Sequence, residues 1–91
     1  MVRIHVYFSG HVQGVGFRYR AFNLSQSFKA LGFVRNLTDG RVELVAEGET
    51  GDLEEYVKGL ERTFGGHITG VQATFEPATG EWDDFQIAPT S

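Results

Sequence analysis

The fold depends on the stretch Val2-Arg3-Ile4-His5-Val6-Tyr7-Phe8-Ser9-Gly10-His11-Val12-Gln13-Gly14-Val15-Gly16-Phe17-Arg18, in which the spacing of the apolar residues changes. Up to Phe8, aliphatic or aromatic side chains occupy every second position, which predicts a strand with one buried face. His5 lies between two of them, and we interpret it as a partly exposed strand residue rather than a ligand. The three glycines that follow indicate a turn.

A helix is predicted after the glycines, because apolar residues are then spaced four, three, four and three positions apart. These residues are Phe17, Ala21, Leu24, Phe28 and Leu31. The pattern is typical of an amphipathic helix whose phenylalanines pack into the core. Gly32 follows the last apolar position, and we expect it to end the helix.

Two short strands joined by a tight turn are predicted in the middle of the chain. The first covers residues 33–37 and begins after Gly32, and the second alternates over residues 42–47 and ends at Gly48. Asp39-Gly40 lies between them, and such a dipeptide between two strands is typical of a β-hairpin.

The last part of the chain predicts a second helix and two further strands. Thr50-Gly51-Asp52 offers N-cap residues for a helix with apolar positions again four, three and four apart. A fourth strand is expected over residues 68–75, with Val71, Ala73 and Phe75 on one face. A short closing strand is expected over residues 82–87, with Phe85 and Ile87 on one face.

The order of elements, β-α-β-β-α-β, determines the predicted fold class. Two helices with one apolar stripe each can cover one face of a four-stranded antiparallel sheet. We therefore expect an α+β, ferredoxin-like split βαβ fold with both helices on one face and, as a possible addition, a short C-terminal strand. The 91 residues are expected to form a single domain, 1–91.

Composition excludes several classes of function. The net charge is −4, which argues against general nucleic-acid binding. The central strand around residues 41–47 has no aromatic residue and two acids, which argues against an RNA-recognition module. The chain has no cysteine and no apolar run of the length of a signal peptide or membrane span. We expect a cytoplasmic protein without membrane contact.

The glycines from Gly10 to Gly16 are candidates for an anion-binding loop. Glycine permits the backbone conformations that aim successive N–H groups at one anion, and the following helix start adds its own unpaired N–H groups. Arg18 offers a planar guanidinium that matches two phosphate oxygens. The loop lacks the Walker A ending and the dinucleotide spacing. From the glycines alone, a tight turn with a surface arginine is an equal alternative.

Asn36 is a second candidate, because asparagine is disfavoured in an apolar strand and a buried amide needs partners. It could instead cap the hairpin before Asp39-Gly40. In this topology the second hairpin strand lies between the strand of Asn36 and the first strand, so the sequence leaves open whether Asn36 faces the loop.

These residues resemble the two signatures of the acylphosphatases. The first is Gly10-x-Val12-Gln13-Gly14-Val15-x-Phe17-Arg18. The second is Gly32-Phe33-Val34-Arg35-Asn36-x-x-x-Gly40-x-Val42, followed by Gly48 after five intervening residues. Phe8 departs from the aliphatic residue usual in the family, and Gly16 stands where the family varies and is expected to loosen the loop. The resemblance covers essentially the whole chain and implies the ferredoxin-like fold.

The resemblance implies hydrolysis of a small acyl phosphate to a carboxylate and inorganic phosphate, which would also act as a competitor. It implies Arg18 as the phosphate-binding residue and Asn36 as the residue that orients water. We expect a monomer. The loop amides that would hold the phosphoryl oxygens are those of His11, Val12, Gln13, Gly14, Val15, Gly16 and Phe17. A binding domain without turnover is the alternative.

The chemistry of this reaction requires little from the protein. The leaving carboxylate has a conjugate acid with a pKa of about 4, so no general acid is needed. Fixed amides and one guanidinium can stabilise a loose phosphoryl-transfer transition state. We therefore expect no metal, no cofactor and no covalent intermediate. His11 is a titratable candidate for a direct role, although Asn36 with a substrate oxygen suffices, and Gln13 is expected to brace the loop.

Overall fold

A computed structural model describes residues 1–91, with seven elements of regular structure. In chain order they are β1 (Val2–Gly10), α1 (Phe17–Ser27), β2 (Leu31–Asn36), β3 (Val42–Gly48), α2 (Thr50–Phe64), β4 (Ile68–Pro77) and β5 (Phe85–Ile87). The predicted β-α-β-β-α-β order of the ferredoxin-like fold is confirmed, and the additional short C-terminal strand is present as β5. Neither helix combines the length and the apolar character that a membrane crossing requires.

The strands form one five-stranded sheet in the order β4-β1-β3-β2-β5. The first four strands pair antiparallel, and β5 pairs parallel to β2. Phe8 pairs with Val42, and Val42 pairs with Asn36. Because directly opposed residues point to the same side of a sheet, Asn36 projects to the side of the core. It also lies at the end of the sheet where β1 leads into the glycines.

The hydrophobic core lies between the sheet and the two helices as one cluster of 17 buried residues. Phe17, at the start of α1, stacks on Phe64 with ring centroids 4.6 Å apart and lies 4.8 Å from the Phe8 ring. The buried Tyr56 hydroxyl of α2 donates a hydrogen bond of 2.6 Å to the carbonyl of Ala21. These contacts fix the start of α1 against the sheet and the second helix.

The opposite face of the sheet carries a paired charge cluster around Glu43 and Glu47, which are both buried. One oxygen of Glu43 accepts from Arg35 Nε at 2.6 Å, and the other lies 2.6 Å from His5 Nε2. Burial alone would raise the pKa of the Glu43 carboxyl, but hydrogen bonds from Arg35 and His5 outweigh burial and hold it below its ordinary value. The His5 side chain itself is partly exposed on β1, as expected.

Glu47 fastens the segment after β4 to the centre of the sheet. Its carboxylate accepts from the backbone N–H of Thr79 at 2.7 Å, from the Thr79 hydroxyl at 2.9 Å and from the N–H of Gly80 at 2.9 Å. Burial acts to raise the pKa of Glu47, and these hydrogen bonds outweigh burial and lower it. The alternating pattern of residues 42–47 predicted polar residues at positions 43 and 47, but it did not indicate that both are buried.

Two predicted helix boundaries are wrong. Helix α1 ends at Ser27, and Lys29 takes a left-handed conformation with φ 51°, so Gly32 does not end the helix. Gly32 lies within β2, where a Cβ would stand 1.9 Å from the carbonyl oxygen of Val45 on the neighbouring strand. In the second helix, Glu49 is the N-cap, and Thr50 already belongs to α2.

The two edge strands compare differently with the predictions: the shared face of β4 is confirmed, and the start of the closing strand is wrong. Val71 and Phe75 of β4 do share the core-side face, because they pair with Phe8 and Ile4. They remain exposed, since the helices do not extend over this edge strand. The closing strand is shorter than expected and begins at Phe85, so Trp82 precedes it and packs beside Phe33, with ring centroids 5.9 Å apart.

Candidate active site

The segment that joins β1 to α1 is built on three glycines with positive φ. Gly10, Gly14 and Gly16 have φ values of 120°, 76° and 81°. Residues 10–16 are called the glycine loop below. At Gly10 a Cβ would stand 2.3 Å from the carbonyl oxygen of His67, so close approach to the chain before β4 requires glycine there. At Gly14 and Gly16 the space is open, and the left-handed backbone alone favours glycine.

The glycine loop presents a continuous run of unpaired backbone donors. The first hydrogen bond of α1 runs from the N–H of Arg20 to the carbonyl of Gly16, and the N–H groups of residues 12–19 donate to no backbone carbonyl. A helix start carries the positive end of the helix dipole, which adds to the partial charges of these groups. The loop and the first turn of α1 can therefore bind an anion through several N–H groups.

His11 does not belong to this set of donors. Its backbone N–H donates to the carbonyl of His67 at 2.8 Å, and its ring lies 5.8 Å from the ring of His67. The prediction that the His11 amide holds phosphate is therefore corrected, because the carbonyl of His67, just before β4, already accepts from that donor. The pairing could not be read from the loop sequence, since His67 is more than fifty residues away.

Gln13 braces the loop, as predicted. Its Nε2 donates to the carbonyl of Leu37 at 2.8 Å and to that of Arg41 at 3.0 Å. These carbonyls flank the turn between β2 and β3, and Leu37 directly follows Asn36. The Gln13 side chain therefore ties the glycine loop to the hairpin and sets the position of Asn36 relative to the loop, although β3 separates β1 from β2.

Arg18 is the second residue of α1, and it forms no salt bridge with any carboxylate of the protein. Because no acid neutralises it, its guanidinium is available to an external anion. A guanidinium presents a planar fork of donors that fits two oxygens of a phosphoryl group.

Asn36 has a side-chain oxygen, Oδ1, that is buried and has no hydrogen-bond partner in the protein. The alternative role as a hairpin cap is not supported, because Asp39 fulfils it by accepting from the N–H of Arg41 at 3.1 Å. Buried polar atoms in folded proteins nearly always have partners, and exceptions concentrate at functional sites. The amide is therefore free to bind a substrate oxygen or a water molecule.

One cavity of about 260 Å³ brings the loop, Arg18 and Asn36 together. We call it the loop cavity; its lining residues are Val12, Gly14, Gly16, Phe17, Arg18, Tyr19, Asn36 and Ile87. The structure thus answers the question that the sequence left open, because Asn36 and the glycine loop line the same space. Gln13 and Val15 are not among the lining residues, although their N–H groups belong to the same unpaired run.

Tyr19 and Ile87 are the lining residues that the sequence analysis missed. Tyr19 lies off the apolar stripe of α1 and is 71% exposed. A large aromatic residue on the outer face of a helix, next to Arg18, is the signal that could have indicated it. Ile87 was predicted only as a partner of Phe85 on one strand face, and the parallel pairing of β5 with β2 brings it beside Asn36.

The charged residues elsewhere form no cluster of three or more histidine, aspartate or glutamate side chains suited to a metal ion. The ring of residues around the loop cavity contains one cation, one amide and several backbone donors, but no carboxylate. Such a donor set suits an anion rather than a metal ion.

Comparisons with known proteins point to one family. The sequence model of the acylphosphatase family matches residues 4–87. A protein of Paenarthrobacter aurescens named acylphosphatase is 42% identical over 87 residues, which cover 94% of this chain and 93% of that protein. A second, from Rubrobacter xylanophilus, is 42% identical and aligns over 93% of this chain and 78% of its own length.

Solved structures agree with the sequence comparisons. The crystal structure of acylphosphatase from Bacillus subtilis superposes with a TM-score of 0.88 at 30% identity, and the match covers 97% of this chain and 99% of that chain. An acylphosphatase from Coxiella burnetii superposes with a TM-score of 0.82 at 30% identity, covering 96% of this chain and 92% of the other.

Proposed function

Because this chain belongs to the acylphosphatase family and hydrolyses acyl phosphates, we propose that the loop cavity is its active site. One observation carries the proposal: unpaired backbone donors, an unpaired guanidinium and an unpaired side-chain oxygen meet at one cavity. The N–H groups of residues 12–17 donate to no backbone carbonyl, Arg18 forms no salt bridge, and Asn36 Oδ1 has no partner. Arg18, Asn36 and four residues of that run line the same cavity. Together they form a complementary site for a phosphoryl group and a water molecule.

The phosphoryl group is held by the N–H groups of Val12, Gln13, Gly14, Val15, Gly16 and Phe17 and by Arg18. Negative charge on its oxygens is present in the ground state and is redistributed towards the leaving group during the reaction. Donors that are already fixed need no rearrangement to stabilise it. Gln13 and the buried Phe17 ring keep both ends of the donor run in place.

Asn36 orients the attacking water. The water oxygen forms a bond to phosphorus while the bond between phosphorus and the bridging oxygen breaks. The electron pair of that bond leaves with the carboxylate, and the protons of the water pass to a phosphoryl oxygen and to solvent. A carboxylate is stable without protonation at neutral pH, so the reaction needs no general acid, and a loose transition state makes little demand on a general base.

The remaining parts of the proposal concern the context of the site. The whole reaction is assigned to one domain, residues 1–91, working as a monomer on small acyl phosphates without metal, cofactor or covalent intermediate. Inorganic phosphate is the product and occupies the same donors as a competitor. The monomeric state and the cytoplasmic location stay predictions from the sequence.

The test measures hydrolysis of benzoyl phosphate by the parent and by Arg18→Ala and Arg18→Lys, with EDTA present and with inorganic phosphate as a competitor. Arg18→Ala is expected to lower kcat/KM by at least about 10³-fold and to abolish competition by phosphate. Arg18→Lys keeps the charge but not the planar fork and should recover only part of the rate. Parent activity that requires an added metal ion contradicts the metal-free mechanism.

Hydrolysis in ¹⁸O-labelled water separates attack at phosphorus from attack at the carbonyl carbon. Attack at phosphorus places the label in inorganic phosphate, and attack at carbon places it in the carboxylate. The proposal predicts label in phosphate alone. A binding domain without turnover, the alternative function, would show phosphate binding in the parent but no hydrolysis above the uncatalysed rate.

A further inference from the structure

A second groove opens directly beside the loop cavity. Its volume is about 580 Å³, and it runs between α1 and β5. We call it the side groove; its lining residues are Tyr19, Phe22, Gln26, Asp84, Phe85, Gln86 and Ile87. Two of these residues, Tyr19 and Ile87, also line the loop cavity. The two spaces therefore adjoin at these two side chains, and a molecule held by its phosphoryl group in the first can reach the second past them.

Four of the seven residues that line the side groove are apolar, and two of these four are exposed. Tyr19 is 71% exposed and Ile87 is 40% exposed, and both belong to the small group of large hydrophobic residues at the surface of this protein. Phe85 belongs to the core and Phe22 packs against the core, so they form a firm base. Exposed apolar side chains that surround a groove at a reaction site are typical of a binding surface for an apolar ligand.

Charge further restricts the ligand. Asp84 is the one charged residue that lines the side groove, and its Oδ2 accepts from Nε2 of Gln86 at 3.3 Å. A carboxylate or second phosphoryl group on the substrate would be repelled by Asp84, whereas an uncharged group would not. An acetyl group, with two carbon atoms, reaches little beyond the loop cavity and gains little from either wall.

We propose that the side groove binds the acyl group of the substrate and that this chain prefers acyl phosphates with an uncharged aromatic or branched apolar acyl group. The inference rests on the proposed function, since the phosphoryl group in the loop cavity orients the acyl group towards Tyr19 and Ile87. Both residues are specificity determinants, because their contacts with the acyl group distinguish large apolar substrates from acetyl phosphate.

The experiment compares kcat/KM for benzoyl phosphate with kcat/KM for acetyl phosphate within each variant. The ratio of the two is independent of how much of the variant is folded. Tyr19→Ala and Ile87→Ala are each expected to lower this ratio about tenfold, mainly through KM for benzoyl phosphate, which is the scale of a lost apolar contact in a binding pocket. Tyr19→Phe keeps the ring and should keep the ratio.

Phe75→Ala is the matched control, because Phe75 is similarly exposed, at 46%, but lies on β4 away from both spaces. It should leave the ratio unchanged. Asp84→Asn tests the charge: it should raise kcat/KM for 4-carboxybenzoyl phosphate about threefold relative to benzoyl phosphate at low salt.

A ratio that stays within twofold of the parent in both Tyr19→Ala and Ile87→Ala overturns the inference. This result is distinct from failure of the proposed function, which would appear as parent activity in Arg18→Ala whatever the ratio. Inhibition of acetyl phosphate hydrolysis by benzoate gives a second measurement, and the inference predicts that Ile87→Ala weakens it whereas Phe75→Ala does not.

Discussion

The two sides of the sheet use arginine in opposite ways. On the core side, Arg18 forms no salt bridge and lines a cavity together with the unpaired Oδ1 of Asn36. On the opposite face, Arg35 lies 2.6 Å from the buried Glu43, which also accepts from His5. Glu47, four residues further along β3, has three hydrogen bonds to the segment after β4.

The difference between paired and unpaired groups shows how the same chemical groups can contribute either to stability or to catalysis. A buried carboxylate that is fully paired stabilises the native state, and removal of one partner leaves the other group desolvated and unpaired. Donors without partners contribute nothing to folding stability but bind an external anion without first breaking an internal bond. We therefore expect substitutions on one face to affect activity and substitutions on the other to affect the free energy of unfolding.

The largest contrast is expected between Arg18→Ala and Arg35→Ala. Arg18→Ala should lower kcat/KM by at least about 10³-fold and change the free energy of unfolding by less than about 0.5 kcal/mol. Arg35→Ala should keep kcat/KM within about threefold of the parent and lower the free energy of unfolding by about 1–3 kcal/mol. Urea denaturation and the hydrolysis assay on the same preparations measure both. A large loss of activity in a fully folded Arg35→Ala protein would break the comparison.

Acid should destabilise the paired face. The folded-state pKa values of Glu43 and Glu47 lie below the ordinary value of 4.5. Their contribution is therefore fully present above that ordinary value and is lost as the pH falls through the lower folded-state values. We expect the urea midpoint to be level between pH 6 and 7 and to decrease from about pH 5 to pH 3.

Glu47→Gln is the control for this pH dependence. It should be less stable than the parent at pH 7 by about 1–3 kcal/mol, because charge-assisted hydrogen bonds to Thr79 and Gly80 are lost. Its stability should also depend less on pH below 5. If the stability of Glu47→Gln decreased with falling pH as steeply as that of the parent, Glu47 would not contribute to the acid transition.

The smallest effects are expected for two glycines that have open space around them. Gly16→Ala forces a left-handed backbone, at φ 81°, on a residue with a Cβ and should cost about 1–2 kcal/mol. Gly51→Ala, in the first turn of α2, should instead stabilise the protein by about 0.5–1 kcal/mol. Thermal unfolding measures both changes in stability. If both variants shifted the unfolding temperature equally and in the same direction, the left-handed conformation of Gly16 would not require glycine.

Local patterns in the sequence were sufficient for most of the fold. Alternation in residues 2–8 and the four-three spacing from Phe17 identified β1 and α1, because these periods follow from backbone geometry alone. The end of α1 was wrong, since Phe28 and Leu31 continue the helical spacing although the chain turns at Lys29. Glycine is required at position 32 because a Cβ there would collide with the carbonyl of Val45 on the neighbouring strand. This contact joins residues that are distant in sequence.

The candidate site was predictable in part for the same reason. Gly14, Gly16 and Arg18 are adjacent in the chain, so the loop could be recognised locally, and Asn36 was conspicuous as an amide in an apolar strand. The hydrogen bond of His11 to His67, the wall formed by Ile87 and the pairing of Glu43 depend on strand order and register. No local pattern contains that information.

The central claim is that unpaired groups around the loop cavity carry out the reaction, and Asn36→Ala tests it most directly. The measurement is kcat for benzoyl phosphate in EDTA, together with the inhibition constant for inorganic phosphate and the urea midpoint. The account predicts that kcat falls by about 10²–10³-fold while phosphate inhibition and stability stay close to those of the parent. Hydrolysis by Asn36→Ala at the parent rate would contradict it.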